Sequence, residues 1–297
     1  MCFPMRPIIY KAFIYLFKKV FTRRLQLVRV EWIRDSQSLS FILQARVKDF
    51  LGNLFIPLKQ TKPMKISIVL PCYNEELRIA NTLKQIQDYT KTKPHAFEII
   101  LVDDGCTDKT VEVAKSLDSK IKIVSYGKNM GKGYAIKRGM LASDGEITLF
   151  MDADASADIN ELDTFLPYFK DHDLVIGSRT LVKGSITVPE KPLRRSVGFL
   201  GHKLISLIIR SKVKDLLGGF KAYNKKAKDI IFQRQTSNGM ASDFEVIFLA
   251  EKFNLKIKEL PIKWAHKPGG TAKPSWYTKA LKELLMVRLN DLRGKYN

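Results

Sequence analysis

The sequence predicts an α/β fold, a mostly parallel sheet flanked by helices and preceded by a basic amphipathic extension. Three observations predict it. Beyond Lys62-Pro63, short apolar runs alternate with amphipathic segments, as in a sheet built from β-α units. The runs are rich in branched and aromatic residues, which suits strands buried on both faces. Three of them end in polar, acidic loops, and open α/β sheets bind ligands at the carboxyl ends of their strands.

Residues 1–62 form the extension, and 63–297 the α/β domain. The extension carries Arg6, Lys11, Lys18, Lys19, Arg23, Arg24, Arg29, Arg34, Arg46, Lys48, Lys59 and Lys62 against Glu31, Asp35 and Asp49. Ile9, Phe13, Leu16 and Val20 recur at helical spacing. Phe41, Ala45, Phe50, Leu51 and Phe55 mark a second amphipathic piece that ends near Pro57. Basic residues beside a broad aromatic face suit a helix lying on anionic lipid, although a helix packed on the protein body fits the same pattern. The run from Ile8 to Phe21 is interrupted by Lys11, Lys18 and Lys19 and falls short of the ~20 apolar residues that cross a bilayer. Thr22-Arg23-Arg24 follows it, where a signal peptide would have small residues. The expectation is a peripheral protein at the cytoplasmic face of a membrane, with no transmembrane helix.

In the domain, Ile66 to Leu70 reads as the first strand and Asn74 to Tyr89 as the first helix. Phe97 to Val102 is the next strand, Thr107 to Leu117 a helix, Ile121 to Val124 a strand and Tyr134 to Ala142 a helix. Ile147 to Met151 and Leu174 to Ile176 are further strands. Lys256 to Trp264 alternates as a strand does, and Trp276 to Leu292 is amphipathic, with Leu281, Leu284, Leu285 and Leu289 against Lys279, Lys282 and Arg288. Asn74 and Thr107 are candidate helix caps.

The 297 residues are 45% hydrophobic and 27% charged, as in a globular protein, with a formal charge of +21. That charge predicts an anionic partner. No helix-turn-helix, zinc finger or aromatic RNA-binding pattern is present, and much of the basic excess accompanies apolar faces, so lipid is favoured over nucleic acid. Cys2, Cys72 and Cys106 have no metal-ligand spacing and suit a reducing compartment.

The chemistry gathers at the strand ends. Pro71-Cys72-Tyr73-Asn74-Glu75 follows the first strand and Asp103-Asp104-Gly105-Cys106-Thr107-Asp108 the second. Asp152-Ala153-Asp154 follows Ile147 to Met151. An Asp-x-Asp alone is as consistent with a solvated turn as with a metal site. Three such loops on one sheet edge can converge on one ligand, and paired carboxylates suit a hard divalent cation that bridges to phosphates.

These loops, with Asn129-x-Gly131-Lys132-Gly133, resemble the family 2 glycosyltransferases, which have the GT-A fold with its Rossmann-like sheet. The resemblance covers residues 65–290. It implies that Pro71, Tyr73, Glu75 and Asp103 hold the base and ribose of a nucleoside diphosphate sugar, and that Lys132 and Asp152 belong to the same donor site. It implies that Asp152 and Asp154 hold Mg²⁺ or Mn²⁺ on the diphosphate and act in catalysis. Gly177-Ser178-Arg179, Pro192-Leu193-Arg194-Arg195 and Asp215-Leu216-Leu217-Gly218-Gly219-Phe220-Lys221 are similar to the polyprenyl-phosphate branch, most of all the dolichyl-phosphate β-glucosyltransferases. That likeness implies an inverting hexosyltransferase, with UDP-glucose favoured as donor and GDP-mannose an alternative. It assigns Arg179 and Arg195 to the acceptor phosphate, a role the planar guanidinium suits; Arg194 competes with Arg195. Ser242-Asp243-Phe244-Glu245 matches a Phe-Asp-x-Glu stretch of that group except at Ser242. Asp243 is then a catalytic-site residue, as an acceptor or sugar contact or as a base, although a plain helix cap explains it too. A sugar hydroxyl acceptor, in glycolipid or polysaccharide synthesis, is the alternative. Two departures concern the sugar: Leu217-Gly218 stands where the glucosyltransferases have Gln-Cys, and Ser156 where the mannosyltransferases have Gln.

Overall fold

A computed structural model of the chain describes residues 63–181, 186–188, 209, 211–239, 241–265 and 275–297. The extension, Arg195 with its neighbour Arg194, and residues 266–274 lie outside the described residues.

The first half alternates as expected: β1 (Lys65–Cys72), α1 (Glu76–Lys91), β2 (Ala96–Asp103), α2 (Thr110–Leu117), β3 (Lys122–Ser125), α3 (Lys132–Ala142) and β4 (Ile147–Met151). A one-turn helix, α4 (Leu162–Phe165), lies between two 3₁₀ turns. There follow β5 (Leu174–Ser178), β6 (Ile186–Val188), β7 (Phe220–Asn224), α5 (Lys225–Arg234), α6 (Ser242–Lys252), β8 (Ile257–Pro261), β9 (Trp264–Ala265) and α7 (Ser275–Leu292). The main sheet has seven strands in the order β3-β2-β1-β4-β7-β5-β8, and β6 pairs with β9 in a small second sheet.

Alternation in β1 sends side chains to opposite faces of the sheet. Ile66, Ile68 and Leu70 meet Ile79, Leu83 and Ile86 of α1, with Ala114 of α2 and Phe165 of α4 in the same core. Val69 faces the second core, built with Ala135 and Met140 of α3, Ile231 and Phe232 of α5, Phe244 and Ile247 of α6, and Leu284 and Val287 of α7. Each fully buried aliphatic side chain contributes roughly 1.5–3 kcal/mol relative to exposure. Gly139 of α3 lies where a Cβ would meet Val69 Cγ1 at 2.3 Å, which lets this helix sit close on β1.

β7 is antiparallel to both β4 and β5 in an otherwise parallel sheet. This reversal positions the site. The start of β7, preceded by Gly218-Gly219, lies beside the carboxyl end of β4, with Met151 opposite Phe220 and Asp152 N–H donating to Gly219 O at 3.1 Å. The strand expected over 256–264 is two. β8 ends where Ser178 faces Pro261, and Trp264 pairs with Ile186 instead. Proline has no N–H with which to continue a ladder.

Two expected caps are corrected. α1 begins at Glu76, and Asn74 adopts left-handed backbone at φ 55°, so it does not cap α1. Its Oδ1 accepts the Thr107 N–H at 2.8 Å. Thr107 precedes α2 by three residues and does not cap it; the N-cap position is Lys109, and the carboxylate of Asp108 accepts the N–H of Thr110, the first residue of α2, at 3.0 Å.

Candidate active site

The loops after β1 and β2 are cross-braced. Asp108 Oδ2 accepts the N–H of Glu76 at 3.1 Å, and Glu76 Oε2 accepts the N–H of Lys109 at 2.9 Å. Each helix thus lends the other an N-terminal cap, where unpaired N–H groups favour negative charge. Glu75 N–H donates to Thr110 Oγ1 at 2.7 Å. Gly105, at φ 73°, lies where a Cβ would meet Asn129 N and Lys128 C at 2.5 Å, so the loop after β3 packs directly on the loop after β2. Asp104, 3% exposed, accepts from Tyr126 Oη, Met130 N and Gly131 N at 2.8, 2.7 and 3.0 Å. It is therefore the structural member of the Asp103-Asp104 pair.

Asp103 faces the loop edge. Burial opposes its ionisation, but hydrogen bonds from Cys106 N–H and Ser125 Oγ, both at 2.7 Å, outweigh this and hold its pKa below the usual aspartate value. Tyr73 is 49% exposed beside it in the loop after β1, and Pro71 is partly buried within β1. Glu75 lies further in, bonded to Arg78 at 2.6 Å. Burial raises its pKa; Arg78 opposes the rise, and the charges of Asp154 and Asp152 add to it. Glu75 is thus in electrostatic reach of both carboxylates after β4.

Asp152 and Asp154 leave β4 in a tight turn. Asp154 Oδ1 accepts the Ser156 N–H at 2.9 Å, and Ala155 adopts φ 51°, a conformation that costs a non-glycine residue roughly 1–2 kcal/mol. Thr82 Oγ of α1 donates to Ala153 O at 2.6 Å and holds the turn down. Lys132 Nζ lies 2.7 Å from Asp152 Oδ1, on the other side of the turn. Desolvation favours loss of the ammonium proton, but Asp152, then Asp243 and Asp154, outweigh it and raise the lysine pKa. Gly219 backs Asp152 closely: a Cβ there would meet Oδ2 at 1.9 Å.

Asp243 stands at the start of α6 within reach of Lys132. It caps nothing; the helix N-cap is Ala241. Asp243 instead accepts from Lys221 Nζ at 2.5 Å, and Lys221, 1% exposed, also donates to Gly218 O at 2.7 Å. Ser242, where the related stretch has an aromatic residue, touches Gly133: a Cβ on that glycine would meet Ser242 Cβ at 2.5 Å. Glu245, fully buried, binds Thr236 N at 2.8 Å, Ser237 N at 2.7 Å and Tyr296 Oη at 2.6 Å. It thereby fixes the segment before α6.

Arg179 follows β5. Its Nε and Nη2 both donate to Asp215 at 2.8 Å, and its guanidinium lies 5.3 Å from the Trp264 ring centre. Burial opposes ionisation of Asp215, but the bonds and charge of Arg179 prevail and lower its pKa.

The structure thus joins Glu75, Lys132, Asp152, Asp154 and Asp243 in one charged cluster, with Pro71 and Asp103 at the ends of β1 and β2 and Tyr73 on the loop after β1. Sequence reasoning gave no role to Asp104, Asp108, Asp215, Lys221 or Glu245, although Asp104 stands inside a quoted motif, Asp215 opens one, and Asp108, Lys221 and Glu245 each close one. For Lys221 and Glu245 the signal was a charge between apolar neighbours. Among the described residues no group of three or more His, Cys, Asp or Glu side chains is placed to hold a metal ion. The pair Asp152 and Asp154 nevertheless fits Mg²⁺ or Mn²⁺, which take one or two carboxylates and fill the rest of their shell from water and phosphate oxygens. Lys132 already places a cation against Asp152.

Comparison with known proteins identifies the family. Residues 67–231 match the Glycosyl transferase family 2 profile. The dolichyl-phosphate beta-glucosyltransferase ALG5A of Trichomonas vaginalis is 31% identical over 272 residues, covering 86% of this chain and 82% of the relative. The human dolichyl-phosphate beta-glucosyltransferase is 28% identical over 276 residues, covering 86% and 84%. Among solved structures, glucosyl-3-phosphoglycerate synthase from Mycobacterium tuberculosis, in complex with Mn²⁺, UDP and glucosyl-3-phosphoglycerate, superposes with a TM-score of 0.56 at 18% identity, covering 88% of this chain and 86% of that one. The shared fold is GT-A, and the chain belongs to glycosyl transferase family 2.

Proposed function

We propose that the protein transfers glucose from UDP-glucose to a polyprenyl phosphate, with inversion, at the cytoplasmic face of a membrane. The observation that carries this reading is the cluster of Glu75, Lys132, Asp152, Asp154 and Asp243 at the carboxyl edge of the sheet, in a chain 31% identical to a dolichyl-phosphate beta-glucosyltransferase. Pro71, Tyr73 and Asp103 bound the nucleoside, Asp103 as an acceptor for its N–H groups. Lys132 turns from Asp152 to the diphosphate. Asp152 and Asp154 would hold Mg²⁺ or Mn²⁺, which when bound neutralises charge on the departing diphosphate.

Arg179, braced by Asp215, presents a fixed guanidinium to the acceptor phosphate, with Arg195 as its partner. A phosphate oxygen attacks the anomeric carbon from the side opposite the diphosphate. The new C–O bond forms as the bond to the diphosphate breaks, and the configuration inverts. The acceptor is already an anion near neutral pH, so no base is required. Asp243, held by Lys221, positions the sugar or acceptor. Residues 1–62 supply a membrane-surface extension to the 63–297 catalytic domain.

The test is transfer of radiolabel from UDP-glucose or GDP-mannose to polyprenyl phosphate, with Mn²⁺ and with Mg²⁺. The expected product is organic-soluble, formed from UDP-glucose, and labile to mild acid. An acid-stable product would establish a sugar hydroxyl as the acceptor and overturn the reading.

A further inference from the structure

On the C-terminal helix, charge is sorted by side. Between Lys282 and Arg293 the acids are Glu283 and Asp291, and both are used inward. Glu283 accepts from Ser237 Oγ and Ala241 N–H, each at 3.2 Å, and Asp291 pairs with Lys252 at 2.5 Å and Arg288 at 3.6 Å. Leu284 and Val287 fill the core beneath. The outer face carries Leu285, Met286, Leu289 and Leu292, which are 51%, 38%, 41% and 80% exposed. Lys282 and Arg293 bound it, both exposed. These six positions follow helical spacing, so they form one stripe with basic ends, an apolar middle and no acid.

We propose that this stripe docks on the surface of an anionic bilayer. Charge complementarity selects the occupant: the chain carries a net +21, and the stripe keeps its bases outward while every acid of this stretch is turned in. Such a face enters the headgroup boundary by burying its leucines, with each basic residue adding attraction to anionic lipid. The inner face of the same helix braces the segment that leads into α6. Glu283 packs where a Cβ on Gly239 would meet Oε1 at 2.5 Å, and Ala241, whose N–H it binds, lies two residues before Asp243. The inference rests on the lipid-phosphate reading for its purpose, but not for its test.

The test uses the full chain and phosphatidylcholine vesicles with and without phosphatidylserine. In Leu289→Trp, an emission component absent from the parent is expected to shift to the blue on adding anionic vesicles and to be quenched by brominated acyl chains. No shift and no quenching would overturn the proposal, whatever the extension does. Leu285→Asp/Leu289→Asp is expected to weaken partitioning by about tenfold or more. It should retain transfer to a short, water-soluble polyprenyl phosphate. Should that variant fail to fold, Lys282→Glu/Arg293→Glu, at exposed positions, decides: loss of the preference for anionic vesicles supports docking, and an unchanged preference overturns it. A parent dimer that Leu289→Asp dissociates, or retention by DNA in place of vesicles, would also overturn it. Vesicle docking without any lipid-phosphate transfer would leave this inference standing and remove the proposed reaction.

Discussion

Replacing Gly219 by alanine separates catalysis from folding at one atom. An added Cβ would stand 1.9 Å from Asp152 Oδ2 and 2.5 Å from its Cγ, and its three nearest heavy atoms all belong to that carboxylate. Ordinary carbon contacts begin above ~3 Å, so the carboxylate must recede by more than about 1 Å. It is the end of a flexible side chain, so the backbone need not move. The loss to stability is the part-exposed pair with Lys132, about 0–1 kcal/mol, or a Tm change of no more than ~4 °C for a domain of this size. The loss to chemistry is larger, because a misplacement of about 1 Å costs on the order of 10²-fold, equivalent to ~2.7 kcal/mol. The assay is kcat/KM with UDP-glucose and polyprenyl phosphate at fixed Mn²⁺, beside a Mn²⁺ titration and a thermal melt. Gly218→Ala is the contrast: its Cβ would strike the backbone oxygen of Gly177 at 2.5 Å, and it should melt well below the parent. A Gly219→Ala protein with kcat/KM within about threefold of the parent and unchanged Mn²⁺ affinity would refute the placement of Asp152 in the site.

Asp154→Asn should lower metal-dependent turnover by about 10²-fold or more while the circular dichroism spectrum and melt are retained; undiminished turnover removes Asp154 from the mechanism. Lys221→Met strands the buried carboxylate of Asp243 and should cost about 3–5 kcal/mol in urea denaturation, much of it recovered in Lys221→Met/Asp243→Leu. Additive losses across that cycle would mean that the two groups do not act as a pair. Asp215 has a lowered pKa in the folded state, so its contribution is complete above the unfolded value of ~3.9 and is lost as pH falls through the folded value. Asp215→Asn should therefore be less stable than the parent near pH 6, with a gap that closes on acidification below about pH 4; a gap independent of pH counts against the Arg179 pairing as its source.

Much of the sheet was legible because parallel strands buried on both faces must be apolar runs, as Ile147 to Met151 is. Strand ends were legible for the same reason: Asp152, Asp103 and Tyr73 stand where the apolar run stops. Neighbouring loops were less so. Asn74 and Thr107 look like caps of their own helices, yet Asn74 spends its carboxamide on the Thr107 N–H, and Asp108 and Glu76 exchange caps across the gap. A local pattern says which residue can cap; which N–H it meets depends on what packs alongside.

By itself the sequence determined the α/β class and the three acidic strand ends, because periodicity and short-range spacing are properties of the chain. Only the tertiary structure decided that β7 runs against its neighbours. That reversal brings Gly219 onto Asp152 and buries Lys221 beneath Asp243, while Lys132 pairs with Asp152 in the field of Asp243. The physical reason is that charge acts over ångströms of space, and residues 132, 152, 221 and 243 become neighbours only when the sheet closes its order.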